Sequence, residues 1–241
     1  MTMDVTGIGS GASSGMTLAR GLSEIGLTLS TEQITQLLDY LRLIQKWNKV
    51  YNLTAVRDPD EMLTHHLLDS LSVIAPLRRH LAMRKAGWVG AKSDLPDAAD
   101  KEVCRLLDVG SGAGLPGVVI AICCPEVVVS CVDTVAKKAA FIQQAALTLK
   151  LPNLRGIHAR VESLGRGFDV ISSRAFASLK DFTTWSAQAL AEGGVWMAMK
   201  GKHPADEITQ LSGAEVFHVE QLQVPGLDAE RCLLWLKPIS V

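Results

Sequence analysis

Residues of five kinds of position in the middle of the chain have the types and spacing to hold a nucleotide-like molecule. Asp108, Gly110, Gly112 and Gly114 lie in LLDVGSGAGLPG (106–117), and Asp133 ends the next apolar run, VVVSCVD (127–133). An apolar strand that meets an acid, then glycines, then a helix is how an α/β protein lets its backbone approach a ligand. Glycine supplies positive φ there and leaves no Cβ in the way. Pro116 falls near the first helical turn, where its missing N–H costs nothing. A right-handed parallel connection places the two runs side by side. Asp133 then projects into the same crevice, about twenty residues after the glycines, at the separation of a carboxylate that accepts hydrogen bonds from ribose hydroxyls. The expected ligand carries an unphosphorylated ribose.

Gly112-x-Gly114-x-x-Gly117 also satisfies the dinucleotide-binding pattern, so the glycines alone do not choose the ligand. Asp108 shifts the choice toward S-adenosyl-L-methionine. A carboxylate two residues before Gly110 can orient the loop and meet a cationic amino-acid end, whereas it would repel a pyrophosphate. The alternative is that Asp108 only caps the following loop through local backbone hydrogen bonds.

The elements that must position these residues are legible from periodicity and caps. Ser30-Thr31-Glu32-Gln33 is a capping box, followed by Ile34, Leu37, Leu38, Leu41 and Ile44 at helical spacing up to Trp47. A second helix starts at Asp58-Pro59 and runs through Met62, Leu63, His66, Leu67 and Leu71. Strands are expected at 104–109, 127–133, 154–159, 168–173 and 195–200. A terminal hairpin of 215–222 and 231–237 is joined by VPGLDAE. Helices are expected at 136–150, 179–191 and 204–211. The expected fold is α/β: a Rossmann-like, seven-stranded, mostly parallel sheet with an N-terminal helical extension. The domain organisation expected is a disordered tail (1–17), a helical segment (18–85), a flexible connection (86–102) and the α/β domain (103–241).

Length and composition narrow the class. With 241 residues and a net charge of −1, the chain suits one domain with additions. The longest apolar run, near Val118–Cys124, is far short of the roughly 20 residues of a membrane span. MTMDVTGIGSGASSG has no basic start and no apolar core, so it does not read as a secretory signal. Cys104, Cys123, Cys124, Cys131 and Cys232 sit in apolar runs without metal-ligand spacing, which suits core packing in a reducing cytoplasm. Adjacent His65 and His66 face about 100° apart on a helix and cannot share a metal as an i, i+4 pair would. His66 and Asp69, three apart, are expected to make a structural contact between this helix and the sheet domain.

Seven stretches together resemble the RsmG (GidB, glucose-inhibited division protein B) family: KWNKVYNLTAV (46–56), HLLDSL (66–71), LLDVGSGAGLPGVVIAI (106–122), VDTVAKKAAFI (132–142), ARVES (159–163), FDVISSRAFASL (168–179) and GGVWMAMKGK (193–202). They cover the chain from about residue 30 to its end in the family's order. The resemblance implies methyl transfer from S-adenosyl-L-methionine to N7 of a guanine in bacterial small-subunit (16S) ribosomal RNA. It also implies cofactor contacts at Gly110, Leu115, Val161, Glu162 and Arg174. The Gly/Ser-rich N-terminus and the 86–101 connection depart from the pattern. From the residues themselves, Val161 can pack on adenine and Glu162 can either help there or start a short helix. Arg174, a cation ending an apolar strand, is either a surface residue or a contact at the cleft mouth.

Guanine N7 carries an in-plane lone pair and no proton, so in-line methyl transfer needs no general base and no catalytic residue is expected. SSRAF stands where Asn-Pro-Pro-Tyr or Pro-Cys would serve an exocyclic amine or a pyrimidine carbon. A nicotinamide-dependent dehydrogenase would need a second domain for which no chain remains after residue 203; a nucleotide-binding module without catalysis is the third alternative. Basic residues cluster at Lys46, Lys49 and Arg57 near Asn52, at Arg78, Arg79, Arg84 and Lys85, and at Lys200, Lys202 and His203. Such runs are usually solvated faces. The Lys200 group, ending a strand at the cleft, is the best RNA candidate, with Asn52 as either a turn residue or a substrate contact. The low net charge suits a structured substrate with extra contacts; the resemblance implies small-subunit ribosomal RNA or a pre-ribosomal particle as partner, and a monomer is expected.

Overall fold

The computed structural model describes residues 9–89 and 103–239. The N-terminal half is helical: α1 (Gly9–Glu24), α2 (Thr31–Tyr51), α3 (Pro59–Met62), a wider π-helical turn (Leu63–Leu68), α4 (Asp69–Leu71) and α5 (Ile74–Val89). Alternation follows: β1 (Arg105–Val109), α6 (Gly117–Cys123), β2 (Val128–Asp133), α7 (Ala136–Thr148), β3 (Leu154–His158), β4 (Phe168–Arg174), α8 (Leu179–Ser186), β5 (Leu190–Lys200), α9 (Ala205–Thr209), β6 (Ala214–Gln221) and β7 (Cys232–Pro238). The strands form one sheet in the order β3-β2-β1-β4-β5-β7-β6, with β7 antiparallel to both neighbours. This is the expected doubly wound sheet of seven strands. Its strand order reverses between β1 and β4, so the ligand crevice lies outside their carboxyl ends.

Strand alternation sends side chains to two cores. Leu106, Val129, Val170, Met197 and Trp235 face the N-terminal helices together with α6 and α7, while Leu107, Ile171, Trp196 and Leu234 face α8. Ser30 caps α2 as the capping box requires, with Gln33 bonding back to it, and Asp58 caps α3 through the N–H groups of Asp60 and Glu61. The same Gln33 reaches across to the carbonyls of Ile122 and Cys123 at the end of α6. Tyr40, fully buried, donates to the carbonyl of Ala113 at 2.6 Å, so α2 grips the glycine-rich loop directly.

Two expectations change. The tail expected over 1–17 is helical from Gly9, and residues 1–8 lie outside the described residues. Glycine and serine disfavour a helix by local propensity, but Leu18 and Leu22 are buried one turn apart, and a Cβ on Gly21 would come within 2.6 Å of Leu68. Packing therefore overrides propensity. Likewise α5 continues through Val89, into the stretch expected to be a loop; residues 90–102 lie outside the described residues.

The arginine cluster at the end of the helical segment is spent on internal bonds rather than presented to a partner. Arg78 donates to the Cys123 carbonyl, Arg79 pairs with Glu220, and Arg84 pairs with Asp169. Between them, His80 stacks on Trp235 with ring centroids 4.6 Å apart. Burial, then the Arg84 cation, pulls the His80 pKa from 6.5 to about 4. The unfolded chain takes up this proton near pH 6.5 and the folded chain only near 4, so stability is lost as the pH falls through that window. His80→Phe keeps the stack and removes the titration. It is expected to be about 2 kcal/mol more stable than the natural chain at pH 5, with the gain fading toward pH 8. Urea midpoints at the two pH values measure this; an unchanged difference between them would contradict it.

Candidate active site

A cavity of about 420 Å³ opens at the carboxyl ends of β1, β4 and β5. The β1 loop supplies one wall through Gly110, Ser111, Gly112, Ala113 and Leu115. Arg174 and Ala175 after β4, and Met199, Lys200 and Gly201 after β5, supply the second. The third comes from the helical segment, with Leu53, Thr54, His65, His66 and Asp69, joined by Arg231 before β7.

The glycine loop is built by a short set of bonds. Gly110 and Ser111 N–H groups return to the Val132 carbonyl, and Gly112 N–H donates to Asp133 Oδ2 at 3.0 Å. Asp133 Oδ1 takes the Val135 N–H at 2.8 Å. Lys138 Nζ lies 3.9 Å from Oδ2, and Asp133, expected to project into the crevice, is buried behind the loop and is not among the residues that line the cavity, though each carboxylate oxygen keeps a further lone pair. Gly112 has φ +59, and a Cβ there would meet nothing nearer than the Gly110 carbonyl at 4.0 Å. Gly114 is different. It points into the core, where a Cβ would lie 2.4 Å from Val118 Cγ2.

Asp108 does not reach the cavity. It is completely buried, accepting from Gly117 N–H at 3.0 Å and from the Ser172 hydroxyl of its register partner on β4 at 2.9 Å. The loop-orienting role holds, and contact with the cationic end of a ligand does not. Burial raises its pKa from 3.8 to about 6, against the pull of Ser172, Gly117 and Arg174. The folded chain holds this proton up to about pH 6 while the unfolded chain releases it near 3.8. Its contribution to stability is therefore complete below 3.8 and lost as the pH rises through 6. Asp108→Asn can still accept from Gly117 and donate to Ser172. It is expected to exceed the natural chain in stability by up to about 3 kcal/mol at pH 8, and by far less at pH 4. Equal urea midpoints at pH 8 would contradict the buried charge.

His66 and Asp69 do not bond to each other. His66 Nε2 lies 2.8 Å from Thr54 Oγ1, and burial, with Arg174 next, lowers its pKa to about 4, so the ring is neutral near pH 7. Asp69, 3 % exposed, instead bridges two arginines: Oδ2 accepts from Arg174 Nη1 at 2.8 Å and Oδ1 from Arg231 Nε at 2.9 Å. Arg174 also donates to the His65 carbonyl. A single carboxylate from the helical segment thus ties together the ends of β4 and β7 at the cavity. The contact between helix and sheet domain expected of this helix exists, with Asp69 as its donor-accepting partner and His66 turned to Thr54.

The model of the GidB family, described as rRNA small subunit methyltransferase G, matches residues 33–84 and 94–234. The chain belongs to this family. A protein named ribosomal RNA small subunit methyltransferase G from Acidovorax sp. (strain JS42) is 68 % identical over 224 residues, covering 92 % of this chain and 95 % of that protein. Proteins of the same name from Polaromonas sp. (strain JS666) and Methylibium petroleiphilum are 67 % and 56 % identical, each covering 91 % of this chain and 92 % of their own length.

Of the positions that membership in the GidB family implies, Gly110, Leu115 and Arg174 line the cavity. Val161 and Glu162 lie in a single 3-10 turn (Val161–Ser163) after β3, with Val161 buried and Glu162 exposed, outside the cavity wall. Lys200 lines the cavity, but its Nζ pairs with Glu207 at 2.9 Å and donates to the Ala177 carbonyl, so its charge is spoken for. Lys202 is exposed and outside the cavity wall. Asn52 is a turn residue: it caps α2 at φ 49 and accepts from Arg57. Thr54, Tyr40 and Arg231 are not singled out by their sequence context, because each acts across 12 to 162 residues of chain.

Proposed function

We propose that this chain transfers a methyl group from S-adenosyl-L-methionine to N7 of a guanine in small-subunit ribosomal RNA, in the naked RNA or a pre-ribosomal particle. The observation that carries the reading is family membership over nearly the whole chain, combined with a cavity at the switch point of the sheet whose wall is the glycine loop. The residues fit the cofactor. Gly112 leaves open space beside backbone, and Asp133 keeps acceptor capacity behind it. Gly110, Gly112 and Leu115 would line the amino-acid end, Arg174 would face its carboxylate, Asp133 the ribose, and Val161 the adenine. Gly114 shapes the loop from behind.

The bound cofactor supplies an electrophilic methyl on a sulfonium. The chain's part is positional. Tyr40 and Asp108 fix the loop from two sides, and the Asp69 bridge fixes Arg174 and Arg231 opposite it. Aligning nitrogen and methyl in such a site can supply roughly 7–11 kcal/mol of barrier reduction. No side chain need remove a proton, in keeping with neutral His66 and fully buried Asp108. The target base must be unstacked or loop-borne, since N7 lies in the deep, narrow major groove of A-form RNA.

Labelled S-adenosylmethionine incubated with intact small subunits, deproteinised small-subunit RNA and bulk protein, all from cells lacking this activity, tests the reading. Label is expected in RNA alone, and the better RNA substrate identifies the assembly state. Label in protein, or in none of the three despite cofactor binding, would overturn it.

A further inference from the structure

A second cleft, of about 490 Å³, lies on the helical segment and is lined by Arg42, Lys46, Lys49 and Arg57. We propose that this cleft binds the phosphate backbone of the RNA strand whose base enters the methyl-transfer cavity. The proposal rests on the RNA methyltransferase reading and adds to it a binding site away from the cofactor.

Three observations carry it. The first is concentration of positive charge, with its two lysines unpaired. Arg42, Lys46 and Lys49 recur at i, i+4 and i+7 on one face of α2, a spacing at which like charges disfavour a helix, and Arg57 joins them from the following loop. No carboxylate lines the cleft. Among the described residues, Lys46 and Lys49 make no hydrogen bond or ion pair; Arg57 bonds only the neutral Asn52 amide, and Arg42 pairs with Asp39 at the exposed rim. Asp58, next to Arg57 in sequence, is committed to the N–H groups of Asp60 and Glu61.

The second observation is contrast. In the other two basic clusters, Arg78, Arg79 and Arg84 are tied internally to Cys123, Glu220 and Asp169, and Lys200 to Glu207, while Lys85, Lys202 and His203 are exposed outside both cavity walls. From the sequence, the Lys200 group is the best RNA candidate of the three. Among the described residues, packing leaves Lys46 and Lys49 as unpaired cations lining a cleft.

The third is continuity. The 52–57 segment is the shared wall of both cavities: Leu53 and Thr54 face the methyl-transfer cavity, and Arg57 faces the cleft. Buried Asn48 locks this wall, accepting from Thr54 N–H at 2.9 Å and donating to the Val56 carbonyl. The three cations on α2 extend over about 10 Å of helix, enough for successive phosphates of one strand. Pro59 and Met62 add apolar surface on which a sugar face can rest. A nucleic-acid strand fits better than an acidic peptide, because the cleft lies across the 52–57 wall from the cavity where a base must be delivered.

The test uses the full chain with Lys46→Ala/Lys49→Ala and Lys46→Glu/Lys49→Glu, since neither lysine makes a bond that folding would miss. Cofactor affinity by calorimetry is expected to be unchanged. The KM for the RNA substrate is expected to rise about 10-fold in the alanine pair and further in the glutamate pair, with kcat within about 2-fold. The plot of log(kcat/KM) against log salt should become shallower by about 1.4, the loss of two phosphate contacts on a single strand. Unchanged KM and salt slope in an active enzyme would overturn the proposal. If the natural chain methylates no RNA, the functional reading fails on its own, and filter binding of small-subunit RNA to natural and variant chains still decides the cleft: equal binding overturns it. Charge-dependent retention of polyglutamate but not of RNA would also overturn it, in favour of an acidic protein segment.

Discussion

Gly112→Val is expected to weaken S-adenosylmethionine binding at least about 100-fold, or about 2.7 kcal/mol, while leaving the fold largely intact. The two effects separate because of where the side chain would go. Gly112 lines the cavity and a Cβ there meets no packed neighbour, so valine grows into the space a ligand would take. The folding penalty is then mainly that of a side chain at φ +59, about 1–2 kcal/mol. Gly114→Ala is the opposite case two residues on. Its Cβ would lie 2.4 Å from Val118 Cγ2 and 3.3 Å from the Tyr40 hydroxyl, at φ +88. Overpacking plus backbone strain is expected to cost about 3 kcal/mol of stability. Calorimetry for affinity and urea denaturation for stability distinguish the two. Full affinity in Gly112→Val would remove this loop from the cofactor site.

Asp69→Asn is expected to lower stability by about 3 kcal/mol and kcat/KM by at least about 100-fold. The amide keeps the volume but offers a donor where a carboxylate oxygen had accepted, so one of Arg174 and Arg231 loses its partner. Removing one side of a buried charged pair typically costs about 3–5 kcal/mol. The arginine side chains here are 20 % and 24 % exposed, which places the cost at the lower end. Catalysis suffers separately, because both arginines line the cavity and their placement depends on this carboxylate. A stability loss below about 1 kcal/mol would contradict the bridge as a structural tie. An unchanged kcat/KM in a destabilised variant would confine Asp69 to folding.

How far the sequence predicts the structure depends on how local the determining interactions are. Ser30, Gln33 and Asp58 announce helix starts because a cap bonds to backbone two or three residues away. The β1 loop and Asp133 are legible for a related reason: βαβ geometry makes a separation of about twenty residues spatially adjacent, and Gly112 N–H does bond Asp133. The misreadings involve distant partners. Asp108 was offered a ligand's ammonium because Ser172, which occupies its second oxygen, is 64 residues away. Lys200, expected at the RNA, also pairs with Glu207 seven residues on in α9, a pairing that the sequence spacing across the intervening loop does not announce. The contact expected of His66 and Asp69 between this helix and the sheet domain forms through Asp69 alone, whose partners Arg174 and Arg231 are 105 and 162 residues away, while His66 turns to Thr54. The helix from Gly9 shows the same principle in the backbone: burial of Leu18 and Leu22 outweighs a composition that favours a loop.

Chemical scission of RNA at 7-methylguanine tests the identity of the methylated atom most directly. Small subunits from cells lacking the activity should be incubated with cofactor and either the natural chain or Gly112→Val, and their RNA then extracted and cleaved. One new scission site is expected with the natural chain and none with the variant. Methyl label in the RNA without a new scission site would contradict transfer to guanine N7 while leaving a methyltransferase acting at another atom.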